Sequence, residues 1–512
     1  MNRKATREGF GPRALGIFVL IAVSACPSVH LSAQISKAST RILDSLLDTP
    51  PFNRQLWGVA LVDQSGRLLY GRNADRLFIP ASNTKLVVSA VASALLPPDW
   101  TVKTSVYSNG PVRNGAVQGD LVLYGRGDPT ESKRCYSTDT AATGVCDSDP
   151  FGRLRVLAGA LRSQGITSVV GDLVGDGSYF DAELVHPNWE NYDLNWWYAA
   201  PVSGLGFNDN SVDIAWGPGP SDGAPASLSL TPNLGDLALE NRSHTLPAGS
   251  DDSIDFFRIP GTLSIWATGG VAHDSKGGTE YLALPDPDLY AARAFRLVLA
   301  DSGISVQGTT RSTLDSLAYA PARAGGALAE TPSRPLSDWV FPILNESQNW
   351  FADMLVKQLG RQFGTGGSWH AGLEVERRFL IDSMAIDSTL FSLSDGSGLS
   401  STNLIAPMAF TRLLQFIRRH PHYQTFKAGL PQSGHKGSLR TRFVNTPLEG
   451  RVWAKTGSIS GVNSLSGYVD LPSGRSLAFS IQANHHVLGG RLMLARIDSL
   501  VVAMARVAGK GK

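Results

Sequence analysis

Little in this sequence points to a metal, a nucleic acid or a membrane-spanning body. Only three cysteines occur in 512 residues, Cys26, Cys135 and Cys146, and they have too few neighbouring ligands for a zinc site. His435, His485 and His486 lack acidic partners at metal-ligand spacing, so neither a metal nor another cofactor is expected. Charged residues make up 18% and the formal charge is only +2. With no Lys/Arg run interleaved with aromatics, no nucleic-acid partner is expected. Past the N-terminus no run is apolar enough to cross a bilayer. There is no internal repeat, and low complexity is confined to short Gly/Pro/Ser loops such as 217–226. Yet 42% of the residues are hydrophobic, which argues against disorder, and the length supports two or three domains.

The N-terminus carries the first positive signal. Arg3, Lys4, Arg7 and Arg13 precede an apolar run from Ala14 to Ala25. A charged stretch followed by an apolar one too short for a finished transmembrane helix is the pattern of an export signal. Two processing sites compete. Leu31-Ser32-Ala33 before Gln34 fits ordinary cleavage and makes 1–33 the signal, whereas Val23-Ser24-Ala25-Cys26 resembles a bacterial lipobox whose Cys26 would carry a lipid. The expected product is exported to the periplasm or cell envelope, either soluble or attached to the membrane through that lipid alone. In an oxidising compartment Cys135 and Cys146 are expected to form a disulfide.

The two ends of the chain share one texture and the middle has another. Residues 35–47 read as a helix that stops before Pro50-Pro51, and 56–63 with 67–70 as a hairpin turning at Ser65-Gly66. A segment starting at Ser82 is apolar on nearly every face until Pro97-Pro98, so it should be a helix buried in a core. Near the other end, 451–455, 464–470 and 476–483 read as three strands, and 491–507 as an amphipathic helix. Between about 106 and 325, short alternating runs such as 119–123 and 171–174 lie among Gly, Pro, Asp and Asn. That is β-rich material with many turns. The simplest arrangement is one α/β domain built from both ends and interrupted by a long β-rich insertion.

Three short motifs carry chemistry. Ser82-Asn83-Thr84-Lys85 opens the buried helix, placing a serine and a lysine one turn apart on one face. Burial disfavours the charged amine, and a neutral lysine could take the serine proton. Taken alone, Ser82 would serve equally as a helix N-cap. Ser347-Gln348-Asn349 stands at the head of a helical stretch, 350–359, and Lys455-Thr456-Gly457-Ser458 ends a strand-like run. All three in this order form the set found in serine β-lactamases and penicillin-binding proteins.

On these motifs the chain resembles the class C low-molecular-mass penicillin-binding proteins, the D-alanyl-D-alanine carboxypeptidase/endopeptidase family. Ser82 and Ser347 are 265 positions apart, where the family carries inserted domains and β-lactamases do not. Gly125-Arg126-Gly127-Asp128-Pro129, Asp395-Gly396-Ser397-Gly398-Leu399-Ser400 and Leu465-Ser466-Gly467-Tyr468-Val469 are similar to family stretches. The resemblance spans roughly residues 40–505. Two departures lie outside the motifs. Lys436-Gly437-Ser438-Leu439 stands where the family usually has Asp-Gly-Thr-Leu, and Ser401 stands where an arginine is usual.

The resemblance implies an antiparallel sheet flanked by helices, as in the β-lactamase/transpeptidase fold, with two inserted β-rich domains. Its division would be 34–105 and 325–512 for the catalytic domain, 106–200 and 285–324 for the first insertion, and 201–284 for a nested small domain. Ser82 would attack the carbonyl between two D-alanines, with Lys85 as base. Ser347 would relay a proton to the leaving amine under the influence of Lys455, and Asn349 would steady Lys85 and bind the substrate backbone. Thr456, within Thr456-Gly457-Ser458, would hold the terminal carboxylate, and the backbone N–H groups of Ser82 and Ser458 would form an oxyanion hole. The implied partners are peptidoglycan stem peptides, with β-lactams as covalent inhibitors. The expected activity is DD-carboxypeptidase, with DD-endopeptidase action on cross-links as an extension. A β-lactamase and a catalytically idle peptidoglycan-binding protein are the rivals.

Overall fold

The computed structural model describes residues 35–132, 134, 149–235, 237–259 and 261–509, and in it the two ends of the chain meet in one sheet. The expected export signal with Cys26, and the expected disulfide between Cys135 and Cys146, lie outside the described residues. Strands run in the order Leu68–Arg72, Leu56–Val62, Ser476–Asn484, Val462–Asp470 and Val452–Ile459, antiparallel throughout. Ala60 faces Ser480, Ser480 faces Ser466 and Ser466 faces Lys455. The register thus leads across the sheet from the N-terminal hairpin to the third motif. The Ser476–Asn484 strand is buried at every position, as a strand covered by helices on both faces must be.

Each face of the sheet has its own core. On one side the helices Lys37–Asp48 and Gly490–Gly509 bring Leu43, Leu47, Ile497, Leu500 and Met504 into a cluster with Val59, Leu465 and Ile481. On the other lies the helix Lys85–Leu95, buried from Lys85 to Ser93. An all-round apolar helix has no face to give to water, so it becomes the centre of a helical layer. Its Leu86, Val88 and Val91 share a core with Trp339, Trp350, Met354 and Phe410 from the helices Ser337–Asn345, Asn349–Phe363 and Pro407–Arg419. Fully burying side chains of this size contributes about 1.5–3 kcal/mol each, so the helix that begins at Lys85 is among the most firmly seated elements.

The insertion departs once that helix has ended at Leu96, which is extended ahead of Pro97. Strands Lys103–Asn109, Asp120–Tyr124, Leu173–Asp176, Thr310–Thr313 and Ala329–Pro332 form a mixed five-stranded sheet. In it the last strand pairs with the first, so the chain leaves the helix-flanked sheet and returns to it side by side. Within 211–283, among the described residues, further strands pair with one another, led by Ser211–Gly217 between Ser227–Thr231 and Gly278–Ala283.

The insertion is not purely β. Helices Gly152–Ser163 and Pro287–Asp301 pack into its core. The first buries Leu154, Leu157, Ala158 and Leu161, a spacing of three and four that the surrounding Gly/Pro-rich texture obscures. The second starts with Asp286 capping Leu289 N and proline at the first helical position, a start signal legible in the sequence. Among the described residues no helix is long and apolar enough to cross a membrane.

Candidate active site

Ser82 stands not on the α-helix itself but on a 3₁₀ turn, Ala81–Thr84, that leads into it. In a 3₁₀ turn residues three apart eclipse each other, and Lys85 Nζ accordingly lies 3.0 Å from Ser82 Oγ. The turn is imposed by its surroundings. Ala81 has φ 49°, a left-handed conformation that costs an L-residue roughly 1–2 kcal/mol. Ser464 Oγ donates to Pro80 O at 2.6 Å, and Gly398 packs so closely that a Cβ there would stand 1.9 Å from Ala81 O.

Lys85 is fully buried and makes two further bonds, to Asn349 Oδ1 and to Ser397 O, both at 2.6 Å. Burial pushes its ammonium down to about 7, against the pull of the Asp353 and Asp395 carboxylates. The bonding decides where the neutral amine points. An NH₂ group has two hydrogens and one lone pair. Asn349 presents its oxygen, because its Nδ2 donates to Tyr198 O at 2.8 Å, and Ser397 presents a carbonyl. Both hydrogens are therefore committed to acceptors, and the lone pair is left facing the Ser82 hydroxyl. That is the geometry of a general base on a nucleophile.

The third motif runs through the middle of the edge strand Val452–Ile459 rather than at its end. Alternation along a strand puts Lys455 and Gly457 on one face and Thr456 and Ser458 on the other. Gly457 meets the Ser82 turn, where a Cβ would stand 2.6 Å from Pro80 O and 3.0 Å from Ser82 N. Only glycine allows the strand backbone this close to Ser82. Asn83 fixes the turn to the same sheet: with its amide nitrogen turned toward the strand, it donates to Lys455 O at 2.7 Å and its oxygen accepts from Ser466 Oγ at 2.7 Å.

Lys455 is wholly buried and donates to Ser347 Oγ at 2.9 Å and Thr456 O at 2.8 Å. Burial, reinforced by the nearby charge of Lys85, holds it well below the usual lysine range. Ser347 has φ 62°, and Asn349 opens the following helix with Gln348 as its N-cap. The fold thus brings all three motifs into one hydrogen-bonded group. Ser82, Ser347 and Thr456 are only partly buried, so three hydroxyls reach the surface above two sunken amines. Ser458 is exposed on the same edge and accepts from Asn463 Nδ2 at 2.7 Å.

Several participants lie outside the motifs. Ser397 supplies the carbonyl under Lys85, and its loop is held by the buried Asp395. That carboxylate accepts from Gly398 N, Ser400 N, Asn403 Nδ2 and Trp189 Nε1 at 2.7–2.9 Å. Asp353, pushed up by burial and by the charge of Asp395, accepts from Gly396 N at 2.8 Å and Trp369 Nε1 at 2.9 Å. Ser438 accepts from Thr456 Oγ1 at 2.8 Å, so the departing run Lys436-Gly437-Ser438-Leu439 touches the third motif after all. Spacing along the sequence could not reveal that contact, since it is made by a loop folding back onto an edge strand. Among the described residues no cluster of His, Cys, Asp and Glu could hold a metal ion.

Comparison with known proteins gives concordant results. The model of a family described as the D-Ala-D-Ala carboxypeptidase 3 (S13) family matches residues 39–507. A D-alanyl-D-alanine carboxypeptidase of Actinomadura sp. (strain R39) is 34% identical over 482 residues, covering 91% of this chain and 84% of that protein. The D-alanyl-D-alanine carboxypeptidase DacB of Haemophilus influenzae is 25% identical over 423 residues, covering 80% of each. The crystal structure of penicillin binding protein 4 from Haemophilus influenzae superposes with a TM-score of 0.77 at 22% identity, over 90% of this chain and 99% of that one. This structural likeness carries the fold: the helix-flanked antiparallel sheet with its large insertion.

Proposed function

This chain belongs to the D-Ala-D-Ala carboxypeptidase 3 (S13) family, and from that premise we propose that Ser82 is the nucleophile of a serine-type D-alanyl-D-alanine carboxypeptidase acting on peptidoglycan peptides. The observation that carries the assignment is the amine of Lys85, 3.0 Å from Ser82 Oγ with both its hydrogens committed elsewhere. In this reading Lys85 accepts the Ser82 proton as Oγ attacks the carbonyl between the two D-alanines. The tetrahedral oxyanion forms beside the Ser82 turn and the edge strand, where the backbone N–H groups of Ser82 and Ser458 are the proposed donors. Ser347, bonded to Lys455, passes a proton to the departing D-alanine amine. The proton that Lys85 took from Ser82 replaces the one Ser347 gave, and water then attacks the acyl ester, passing a proton to Lys85, which delivers it to Oγ as the ester bond breaks.

The edge position of the Val452–Ile459 strand supports a substrate laid along it, because an edge strand offers unpaired backbone groups to an extended peptide. Thr456 and Ser438 stand together on that edge and are proposed to meet the terminal carboxylate. A cross-linking peptide has the same scissile bond, so DD-endopeptidase action is included in the proposal, as is export to the cell envelope. For the domains we propose the catalytic unit 34–105 with 325–512, the insertion 106–200 with 285–324, and the nested unit 201–284. Incubating the purified protein with defined muropeptides and weighing the products tests the function: release of terminal D-alanine supports it, and intact peptides contradict it.

The pH dependence follows from Lys85. Its neutral form is the base, and its ammonium titrates near 7, so lowering the pH removes the lone pair that Ser82 needs. The rate constant for acylation by a β-lactam should therefore rise with pH up to about 7 and level off above it, falling roughly tenfold per pH unit on the acid side. A profile flat from about pH 5 to 8 would exclude a lysine base of this kind.

Carboxylate recognition has its own test. Thr456→Ala should weaken hydrolysis of peptides with a free terminal carboxylate more than of their amidated counterparts. A hydrogen bond to a charged group contributes about 1.5–3 kcal/mol, or roughly ten- to hundredfold in rate. Equal losses on both substrates would show that the strand does not read the carboxylate.

A further inference from the structure

The helix Asn349–Phe363 is buried from Asn349 to Gly360, and several of its side chains bond to the backbone of the insertion. Asn349, Trp350, Lys357 and Gln358 donate to the carbonyls of Tyr198, Pro201, Glu183 and Gly127, at 2.8, 3.1, 2.6 and 3.0 Å. At the head of the helix the contact changes in kind. Gln348 Nε2 donates to a carboxylate, Asp209 Oδ2, at 3.0 Å, while its Oε1 accepts from Trp350 N at 3.2 Å. Both ends of the amide are engaged, which fixes its orientation.

Asp209 has no exposed surface. Its Oδ2 meets Arg134 Nη1 at 2.8 Å, and the other guanidinium arm reaches Asp213 at 2.8 Å. The backbone that delivers it is strained. Asn208, Asp209 and Asn210 have φ of 52°, 54° and 48°. Three successive left-handed residues, none of them glycine, persist only where the surroundings enforce them. The enforcement is visible: Asn208 N donates to Glu131 O at 2.7 Å and Asn210 Nδ2 to Pro201 O at 2.8 Å. A buried, charge-assisted bond is stronger and more directional than a neutral one, and Arg134 offsets the cost of burying the carboxylate.

We propose that Asp209 is a positioning residue for the second motif. Gln348 is flanked by Ser347, which holds the amine of Lys455, and by Asn349, which holds the amine of Lys85. One clamp on Gln348 therefore sets both hydroxyl-to-amine alignments, and the insertion becomes part of the catalytic apparatus rather than an appendage. The proposal deepens the Ser82 reading and rests on it.

The test compares wild type, Asp209→Ala, Gln348→Ala and the double variant of the full-length protein. Active sites are titrated with a fluorescent penicillin, so that kcat on a D-Ala-D-Ala peptide is counted per labelled enzyme. Asp209→Ala should lower kcat about ten- to hundredfold, the scale of a misplacement of about 1 Å, with KM changed by less than about twofold. Gln348→Ala should act alike and the double variant no worse than either, because one interaction is lost in all three. Asp209→Asn should recover part of the rate, since its amide oxygen still accepts from Gln348. If Asp209→Ala fails to fold, the same cycle is run with Asp209→Asn. Additive losses, or a lower melting temperature with kcat per labelled site unchanged, would overturn the proposal. Failure of the Ser82 reading would show separately, as wild-type enzyme whose label is not on Ser82.

Discussion

Ser82→Ala should abolish release of D-alanine while leaving the melting temperature almost unchanged. Only one oxygen is removed, from a residue that is partly exposed, so no cavity opens in the core. Lys85 keeps its bonds to Asn349 and Ser397, and the 3₁₀ turn keeps its supports through Pro80 and Asn83. The expected change in stability is therefore within about 1 kcal/mol. The rate should fall on the order of 10⁴-fold or more, as it does when the nucleophile of an acyl-transfer enzyme is removed. Paired assays of peptide hydrolysis and thermal unfolding check this. A variant that unfolds, or one that keeps activity, would show that Ser82 does something other than attack.

Lys85→Met is the second substitution with a large expected effect, and its consequences divide differently. Methionine roughly fills the volume of the buried stem but cannot accept a proton, so acylation should slow by about 10²–10⁴-fold, the usual contribution of a positioned base. The stability change is a balance of two terms. Asn349 Oδ1 and Ser397 O lose their donor, and an unsatisfied buried acceptor costs about 1–3 kcal/mol. Against this, the fold no longer has to bury an amine that it already holds far below its normal affinity for protons. A loss of about 1–3 kcal/mol is the expected net, measured by denaturant unfolding beside the acylation rate. Retention of fast, pH-dependent acylation would transfer the role of base to another group.

The three motifs that make up the candidate site were readable in the sequence because each is local. Ser82 and Lys85 are one turn apart, Ser347 and Asn349 share a helix start, and Lys455 and Gly457 share a strand face. The alternation of the C-terminal strands is a local pattern too. What escaped is what long-range packing decides. Nothing near Ser397 says that its carbonyl meets Lys85, 312 positions away. Nothing in the run around Asp209 says that its carboxylate closes on Gln348, 139 positions on. The 3₁₀ turn under Ser82 was invisible because it depends on left-handed backbone at Ala81, a residue with no local preference for it. The helices Gly152–Ser163 and Pro287–Asp301 of the insertion were hidden by composition, although Asp286-Pro287 and the spacing of Leu154, Leu157 and Leu161 announce them.

The central claim, a covalent acyl-enzyme on Ser82, is tested most directly by mass. The protein is incubated with a penicillin at neutral pH, weighed intact, digested and mapped. The account predicts one added penicilloyl group, carried by the peptide that contains Ser82 and persisting for many minutes, because the strained ring acylates as the D-Ala-D-Ala amide does but leaves slowly. An adduct on any other residue, or no adduct at all, would contradict the assignment of the nucleophile. Rapid loss of the adduct with turnover of the drug would contradict the peptidase account in favour of a β-lactamase.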